Sequence, residues 1–251
     1  MRMNLIFDLG NTMQKMAIMS SGKVIEIVKK PKITTKDIAK IIGKHSPTQA
    51  ILSSVVDETE EITNFFKKRI PLLHFSHATP IPIQNAYKTP HTLGTDRLAG
   101  AVAAASLFPK QSTLVLQTGS CITSDFISEA GTYKGGNISP GLEMRLYALY
   151  HFSAKLPLVE YKNVNSFIGT STKDSILTGV VRGIEDECNG IVERYINTFN
   201  PLKVILTGGD AKKFESKIRN KIRNRLFVID NLVLIGLDVI LNYNVEKEKN
   251  I

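Results

Sequence analysis

Residues 114–125, LVLQTGSCITSD, restate in altered form what the chain has already done at residues 5–12, LIFDLGNT. Each is an apolar run that enters a glycine turn carrying hydroxyl side chains, the pattern of a strand that ends in a tight loop. Glycine lets the main chain turn sharply and come close to a ligand, so backbone N–H groups and a Ser or Thr hydroxyl can be laid against a phosphate. Two such loops, one in each half, point to a duplicated nucleotide clamp. The copies differ at one place: Asp8 opens the first loop, and Gln117 stands where the second would carry its acid.

A chain of 251 residues, 43% of them hydrophobic, can bury one large core or two smaller ones, and the paired loops favour two domains, 1–92 and 93–251. No charged, apolar and small-residue leader opens the sequence, and no apolar run approaches the roughly 18–20 residues of a membrane span. The expectation is a soluble cytoplasmic protein with no membrane partner. Cys121 and Cys188 lack metal-ligand spacing and are too few for a disulfide framework, which leaves buried free thiols. Part of the net charge of +9 gathers at residues 212–225, KKFESKIRNKIRNR. Phe214, Ile218 and Ile222 recur there every four positions, so the basic residues read as the wet face of an amphipathic helix and not as a nucleic-acid surface. A positive field also steers anionic small substrates inward.

Apolar runs at 4–7, 16–19 and 24–28 predict three antiparallel strands, with Ser20, Ser21 and Gly22 forming a turn between the last two. A helix at 37–44, a strand at 50–55, a helix at 58–68 and a strand at 72–75 complete the order β-β-β-α-β-α-β, a sheet covered by helices. The proline-bearing TPIPIQNAYKTPH at 79–91 is extended, and it leads into LGTDRLAGAVAAASL at 93–107, a close-packing helix that should lie on the second sheet or on a partner helix. Apolar segments at 114–116, 121–127 and 131–138 then rebuild the opening hairpins. Helices at 143–152 and 174–199, strands at 204–206 and 226–228, a helix at 232–241 and a frayed EKEKNI tail close the chain.

Taken on their own, the acidic residues admit two readings. Asp8, beside its glycine turn, can hold Mg²⁺ directly or through water while the N–H groups of Gly10, Asn11 and Thr12 receive phosphate oxygens, or it can simply shape a β-turn. Asp96, at a helix start between Gly94 and Arg97, can accept the proton of an alcohol, or it can cap its helix and pair with Arg97. With a reference pKa near 3.9 an aspartate is a weak base, which suits a loose phosphoryl-transfer transition state in which proton removal comes late. Gly208 and Gly209, after a buried strand, would let a flat base slide along the backbone or would form a plain strand-to-helix turn.

The sequence resembles the type III pantothenate kinases, within the acetate kinase, sugar kinase, Hsp70 and actin superfamily. The resemblance rests on DLGNT at 8–12, Tyr87 and Pro90 leading to GTDR at 94–97, TGSCITSD at 118–125, GGNISPG at 135–141, SAKLP at 153–157 and GTST at 169–172, in the family's order along nearly the whole chain. It implies an α/β fold of two ribonuclease H-like (actin-like ATPase) domains, each a mixed sheet flanked by helices, with the nucleotide in the cleft between them. It implies an ATP- and Mg²⁺-dependent kinase that turns pantothenate into 4′-phosphopantothenate, the first step of coenzyme A biosynthesis, working as a homodimer. The helix after Asp96 and the apolar face of residues 143–152 offer surface for that self-association. The ATP loop would be Asp8, Leu9, Gly10, Asn11, Thr12, Met13, Gln14 and Lys15, with Gly119, Ser120, Gly208 and Gly209 also contacting ATP. Asp96 becomes the expected proton acceptor, and Tyr87, Gly94, Thr95, Asp96, Arg97 and Thr172 the pantothenate site.

The pattern departs at two positions. Where the family carries an aspartate that helps to bind a monovalent cation, this chain has Gln117, and where it carries a threonine, Ser120. Serine keeps the hydroxyl. The amide carbonyl of Gln117 can still ligate K⁺ or NH₄⁺, but without the unit negative charge, or its NH₂ can approach a phosphate oxygen and replace the cation. Asp125, further along what reads as the same strand, partly restores the local charge if it faces inward. An active kinase weakly dependent on K⁺ follows. The alternatives are a degenerate homologue that binds nucleotide or pantothenate and acts through a partner, and a kinase of another small alcohol or sugar.

Overall fold

The computed structural model describes residues 2–10, 12–55, 59–67, 69–222 and 224–249. Contacts gather them into two compact units, Met1–Pro109 with Gly131–Lys134 and Asn231–Ile251, and Lys110–Ala130 with Gly135–Asp230. The boundary expected after residue 92 lies within the first unit, because the chain's last helix returns to it.

The first unit opens with β1 (Asn4–Leu9), β2 (Gln14–Ser20) and β3 (Lys23–Lys30), then α1 (Thr35–His45), β4 (Gln49–Ser54), α2 (Glu60–Phe66) and β5 (Leu72–His74). Its sheet runs β3-β2-β1-β4-β5, with β1 antiparallel to β2 and parallel to β4. Period-2 alternation divides β1 cleanly. Leu5, Phe7 and Leu9 join a core with Ile38 and Ile41 of α1 and Ile62 and Phe66 of α2. Asn4, Ile6 and Asp8 therefore share the opposite face. Helix α1 starts at a capping box, Thr34 with Asp37, and Lys30 adds a 2.5 Å ion pair that helps to hold the Asp37 carboxyl down at about 2. The helix expected at 58–68 is shorter, and Glu58 and Lys68 lie outside the described residues.

The opposite face of the sheet is covered by α3 (Thr95–Leu107) and α7 (Leu232–Lys249). Ala99, Ala101, Ala103 and Ala104 are buried, and a Cβ placed on Gly236 would fall 1.8 Å from the Ala99 carbonyl oxygen, so the two helices meet backbone to backbone at a glycine. This alanine face is consequently filled within the chain and gives no surface for self-association. The tail expected to fray is likewise ordered: α7 continues through residues 242–249, and buried Asn244 donates to the Pro80 carbonyl at 2.9 Å. A polar anchor of that kind leaves no apolar period to read in the sequence. Only Asn250 and Ile251 of EKEKNI lie outside the described residues.

The second unit repeats the plan with β7 (Ser112–Thr118), β8 (Cys121–Ile127) and β9 (Thr132–Pro140), followed by α4 (Leu142–His151), α5 (Thr172–Thr198), β10 (Leu202–Thr207), α6 (Ala211–Ile222) and β11 (Leu226–Val228). Again the first strand pairs antiparallel with the second and parallel with the strand after the helices, β7 with β8 and with β10. The short β6 (Gln84–Asn85) pairs with Thr132 and Tyr133, the part of β9 that belongs to the first unit. The second core joins Leu114 and Leu116 to Ile184, Cys188 and Val192 of α5 and to Phe214, Ile218 and Ile222 of α6, and Lys212 and Lys217 of the basic run are exposed on the outer side of that helix. Both cysteines are free. Cys188 is buried, which pushes its thiol up to about 12, whereas Cys121 is only half-buried. Among the described residues no helix is long and apolar enough to cross a membrane.

Candidate active site

In the first unit the strand-to-strand turn at 10–13 is set by the pairing of Leu9 with Gln14, and a Cβ on Gly10 would reach 3.0 Å from the Met13 carbonyl oxygen. The turn is therefore tight at its entry, and Asp8 stands at its foot. Asp8 pairs across the ladder with Lys15, whose Nζ lies 3.7 Å from its Oδ2. Burial raises the Asp8 carboxyl above its ordinary value, Lys15 opposes that rise, and the negative charge of Asp96 adds to it. Two carboxylates thus feel one another on the α3 side of the sheet. Asn11 lies outside the described residues; Thr12 is exposed and Met13 is 42% exposed. Gln14 spends its side-chain carbonyl on the Ile33 N–H at 2.7 Å.

Asp96 is placed by the start of α3. The helix begins at Gly94 without a side-chain cap, and a Cβ on Gly94 would sit 2.5 Å from Asp96 Oδ1, so the glycine clears the room into which this carboxylate folds. Thr95 accepts from Ser53 Oγ at 3.1 Å. The residue before the helix start, Leu93, is held through its carbonyl by His77 Nε2 at 2.7 Å. Arg97 is buried, with its guanidinium carbon 6.0 Å from the centre of the half-buried Tyr87 ring, which in turn lies 5.9 Å from that of Tyr133. The first unit therefore brings together Asp8, Lys15, Gly94, Thr95, Asp96, Arg97 and Tyr87.

In the second unit three segments meet at residues 118–120. The Gly208 turn after β10 has φ +103°, and a Cβ there would strike the Thr118 carbonyl oxygen at 2.1 Å; Asp210 N–H donates to that same oxygen at 3.0 Å. Gly141 donates to the Ser120 carbonyl at 3.0 Å, and a Cβ on it would lie 2.0 Å from the Gly119 carbonyl oxygen. Any side chain at either glycine would push the loop apart. Gly119 N–H closes the turn on the Cys121 carbonyl at 3.0 Å, which leaves Ser120 as the exposed polar residue at the tip. Gln117, half-buried, faces Thr123 across the ladder, and Asp125 shares that strand face. Asp125 is buried and accepts from Thr123 Oγ1 at 3.2 Å. Gly209 follows Gly208 in the same turn. Thr172 is the first residue of α5, exposed, behind an N-cap in which Ser171 accepts from Asp174 N–H at 3.2 Å.

Sequence reasoning missed Ser53 and the packing role of Gly141. The second was within reach, since GGNISPG was singled out as a motif; the first was not, because a serine inside a buried strand announces nothing until its neighbour across space is known.

The chain matches solved structures at low identity over nearly its whole length. A putative N-acetylmannosamine kinase from Listeria monocytogenes is 12% identical with a TM-score of 0.55, covering 98% of this chain and 99% of its own. A conserved putative Baf family transcriptional activator from Campylobacter jejuni is 19% identical with a TM-score of 0.58, covering 96% and 99%. The fold is that of the sugar kinase and actin-like ATPase class, two mixed sheets flanked by helices. Within that class, the family described as type III pantothenate kinase matches residues 4–194. The type III pantothenate kinase of Cytophaga hutchinsonii is 41% identical over 97% of this chain and 100% of its own, and that of Bacteroides fragilis 40% identical over 96% and 98%. The chain belongs to the type III pantothenate kinase family.

Proposed function

We propose that this chain transfers the γ-phosphoryl group of ATP to the primary hydroxyl of pantothenate, giving 4′-phosphopantothenate and ADP. The observation that carries the reading beyond family membership is the juxtaposition of Asp8 and Asp96 on one face of the first unit, with Gly94 leaving space for the second carboxylate. In this reading Asp96 accepts the proton of the attacking hydroxyl, Arg97 and Tyr87 hold pantothenate beside it, and Thr172 contributes a further hydroxyl. In the first unit the main-chain N–H groups of Gly10 and Thr12 take phosphate oxygens; in the second unit Ser120 is the proposed phosphate contact and Gly208 and Gly209 the proposed adenosine contacts. Phosphoryl transfer asks mainly for positioning and for neutralisation of charge; the turn and Asp96 serve the first and Lys15 the second.

The residues also fit a magnesium ion. Mg²⁺ is commonly held by one or two carboxylates and otherwise by phosphate and water, and Asp8 stands at the foot of the turn proposed to receive the phosphates. Asp8 would hold it, and the ion would neutralise phosphate charge.

Gln117 removes the charge expected at the monovalent-cation position, and Asp125, which lies on β8 and not on the strand of Gln117 because the chain turns at residues 119–120, is already engaged by Thr123. The enzyme is therefore proposed to need K⁺ little. ADP release measured with ATP, Mg²⁺ and pantothenate should be pantothenate-dependent, and replacing K⁺ by Na⁺ should change the rate by less than about three-fold. No pantothenate-dependent ADP would favour a non-catalytic binding protein, and a rate that collapses in Na⁺ would show that Gln117 still serves a cation.

Self-association is assigned to α4. With the α3 face filled, Met144, Tyr147 and Tyr150 of α4 and the following Phe152 remain exposed, Phe152 at 86%. Apolar side chains exposed together on one short helix would be covered by the same helix of a second copy in a two-fold dimer. Light scattering should give the mass of two chains, and Tyr147→Asp should shift it to one; a wild-type mass of one chain would contradict the assignment.

A further inference from the structure

From the geometry of the first unit we infer that Ser53 is a positioning residue for phosphoryl transfer, tying the strand beside Asp8 to the helix turn that carries Asp96. This rests on the kinase reading above, and it assigns work to a residue outside every motif that led there.

Ser53 lies on β4, and the parallel register sets it directly beside Asp8 of β1. Because Ala50 and Leu52 of β4 turn toward the α1 and α2 core, Ser53 points with Asp8 to the α3 side. It is 2% exposed, so its hydroxyl must be satisfied inside the protein, and it donates to Thr95 Oγ1 at 3.1 Å. Thr95 is the first residue of α3, and Asp96 is the next.

The start of α3 is where such a tie matters. Gly94 provides no side-chain cap and is the residue of greatest backbone freedom, yet the Asp96 carboxylate has to fold back over it. The body of α3 is fixed by α7 through the Gly236 contact at Ala99, one turn further along. His77 holds the chain at Leu93, one residue before Gly94. Between these two anchors, Ser53 fixes the side chain of the residue that immediately precedes Asp96. Ser53 is also the register partner of Asp8 on β1, so the strand ladder on one side and this hydroxyl on the other link the phosphate-side acid to the helix turn of the alcohol-side acid. A displacement of about 1 Å at a reacting group is enough to cost about a hundred-fold in rate, so a tie of this kind acts on turnover more than on ground-state affinity.

The test combines kinetics with hydrogen exchange on the full chain. Ser53→Ala should lower kcat about ten-fold and leave KM for ATP within about two-fold. Thr95→Val breaks the same hydrogen bond from the other side, so the Ser53→Ala, Thr95→Val double variant should lose no more than Thr95→Val alone. In Ser53→Ala, amide exchange should quicken in the first turn of α3, where Leu98 N–H bonds to the Gly94 carbonyl at 3.1 Å, and stay unchanged in β1. Additive kinetic losses, or exchange at the helix start equal to wild type, would overturn the inference. A wild-type chain without pantothenate-dependent turnover would instead sink the kinase reading, and the exchange measurement would then decide by itself whether Ser53 holds the helix start.

Discussion

Asp96→Asn lowers kcat by about 10²–10⁴-fold, the range that a positioned general base contributes, while KM for ATP stays within about two-fold. The asparagine fills the same volume over Gly94, whose missing side chain leaves the 2.5 Å approach open, so the helix start keeps its shape. What disappears is the ability to take a proton from the attacking hydroxyl. The substitution has a second consequence, at Asp8. Asp96 is one of the charges that raise the Asp8 carboxyl, after burial, so its neutralisation lets Asp8 ionise at lower pH. Where ionised Asp8 governs MgATP binding, the acidic limb of that binding should move down in pH in Asp96→Asn. Steady-state kinetics and calorimetry of MgATP binding across the acidic range check both parts; turnover retained within a few-fold would remove Asp96 from the role of base.

The fold was legible because its signals are local. An apolar run marks β1, the glycine turns announce hairpin ends, and Phe214, Ile218 and Ile222 recur at helical spacing on α6. The duplication was legible as well, since an apolar strand running into a glycine turn occurs twice and the two sheets share their pairing pattern. Long-range packing was not. The alanines of α3 carry no mark that says whether they meet α7 or a second copy of the chain, and the charged end of α7 looks like a free tail until Asn244 is seen to bond Pro80. At the candidate site, Asp8, Gly94 and Asp96 were visible as motif residues, and the structure adds why they belong together. The hydroxyl of Ser53 and the close approach of Gly141 exist only as distances between segments far apart in sequence.

Asp8→Asn should stabilise the ligand-free protein while disabling it. Burial raises the Asp8 carboxyl above its ordinary 3.8, with Asp96 adding to the rise and Lys15 only partly opposing it. Between 3.8 and that raised value the folded chain binds more protons at this site than the unfolded chain does, so stability falls as pH rises through the window. Above it, ionised Asp8 is a standing cost to the fold. Asparagine removes that cost, and Lys15, whose side chain is 29% exposed, can turn to solvent when its partner loses its charge. The melting temperature at neutral pH without ligands should therefore rise in Asp8→Asn, and the gain should vanish in acid, where wild-type Asp8 is itself protonated. Turnover should fall by about 10²–10³-fold, the loss that follows removal of one group stabilising charge in the transition state. The upward shift in melting temperature that MgATP gives the wild type should shrink at the same time, because the carboxylate that would hold the metal is gone. Thermal melts at several pH values, with and without MgATP, separate these effects: a lower ligand-free melting temperature at neutral pH would mean that Asp8 is a structural ion-pair partner of Lys15, and an undiminished MgATP shift would take the metal away from Asp8.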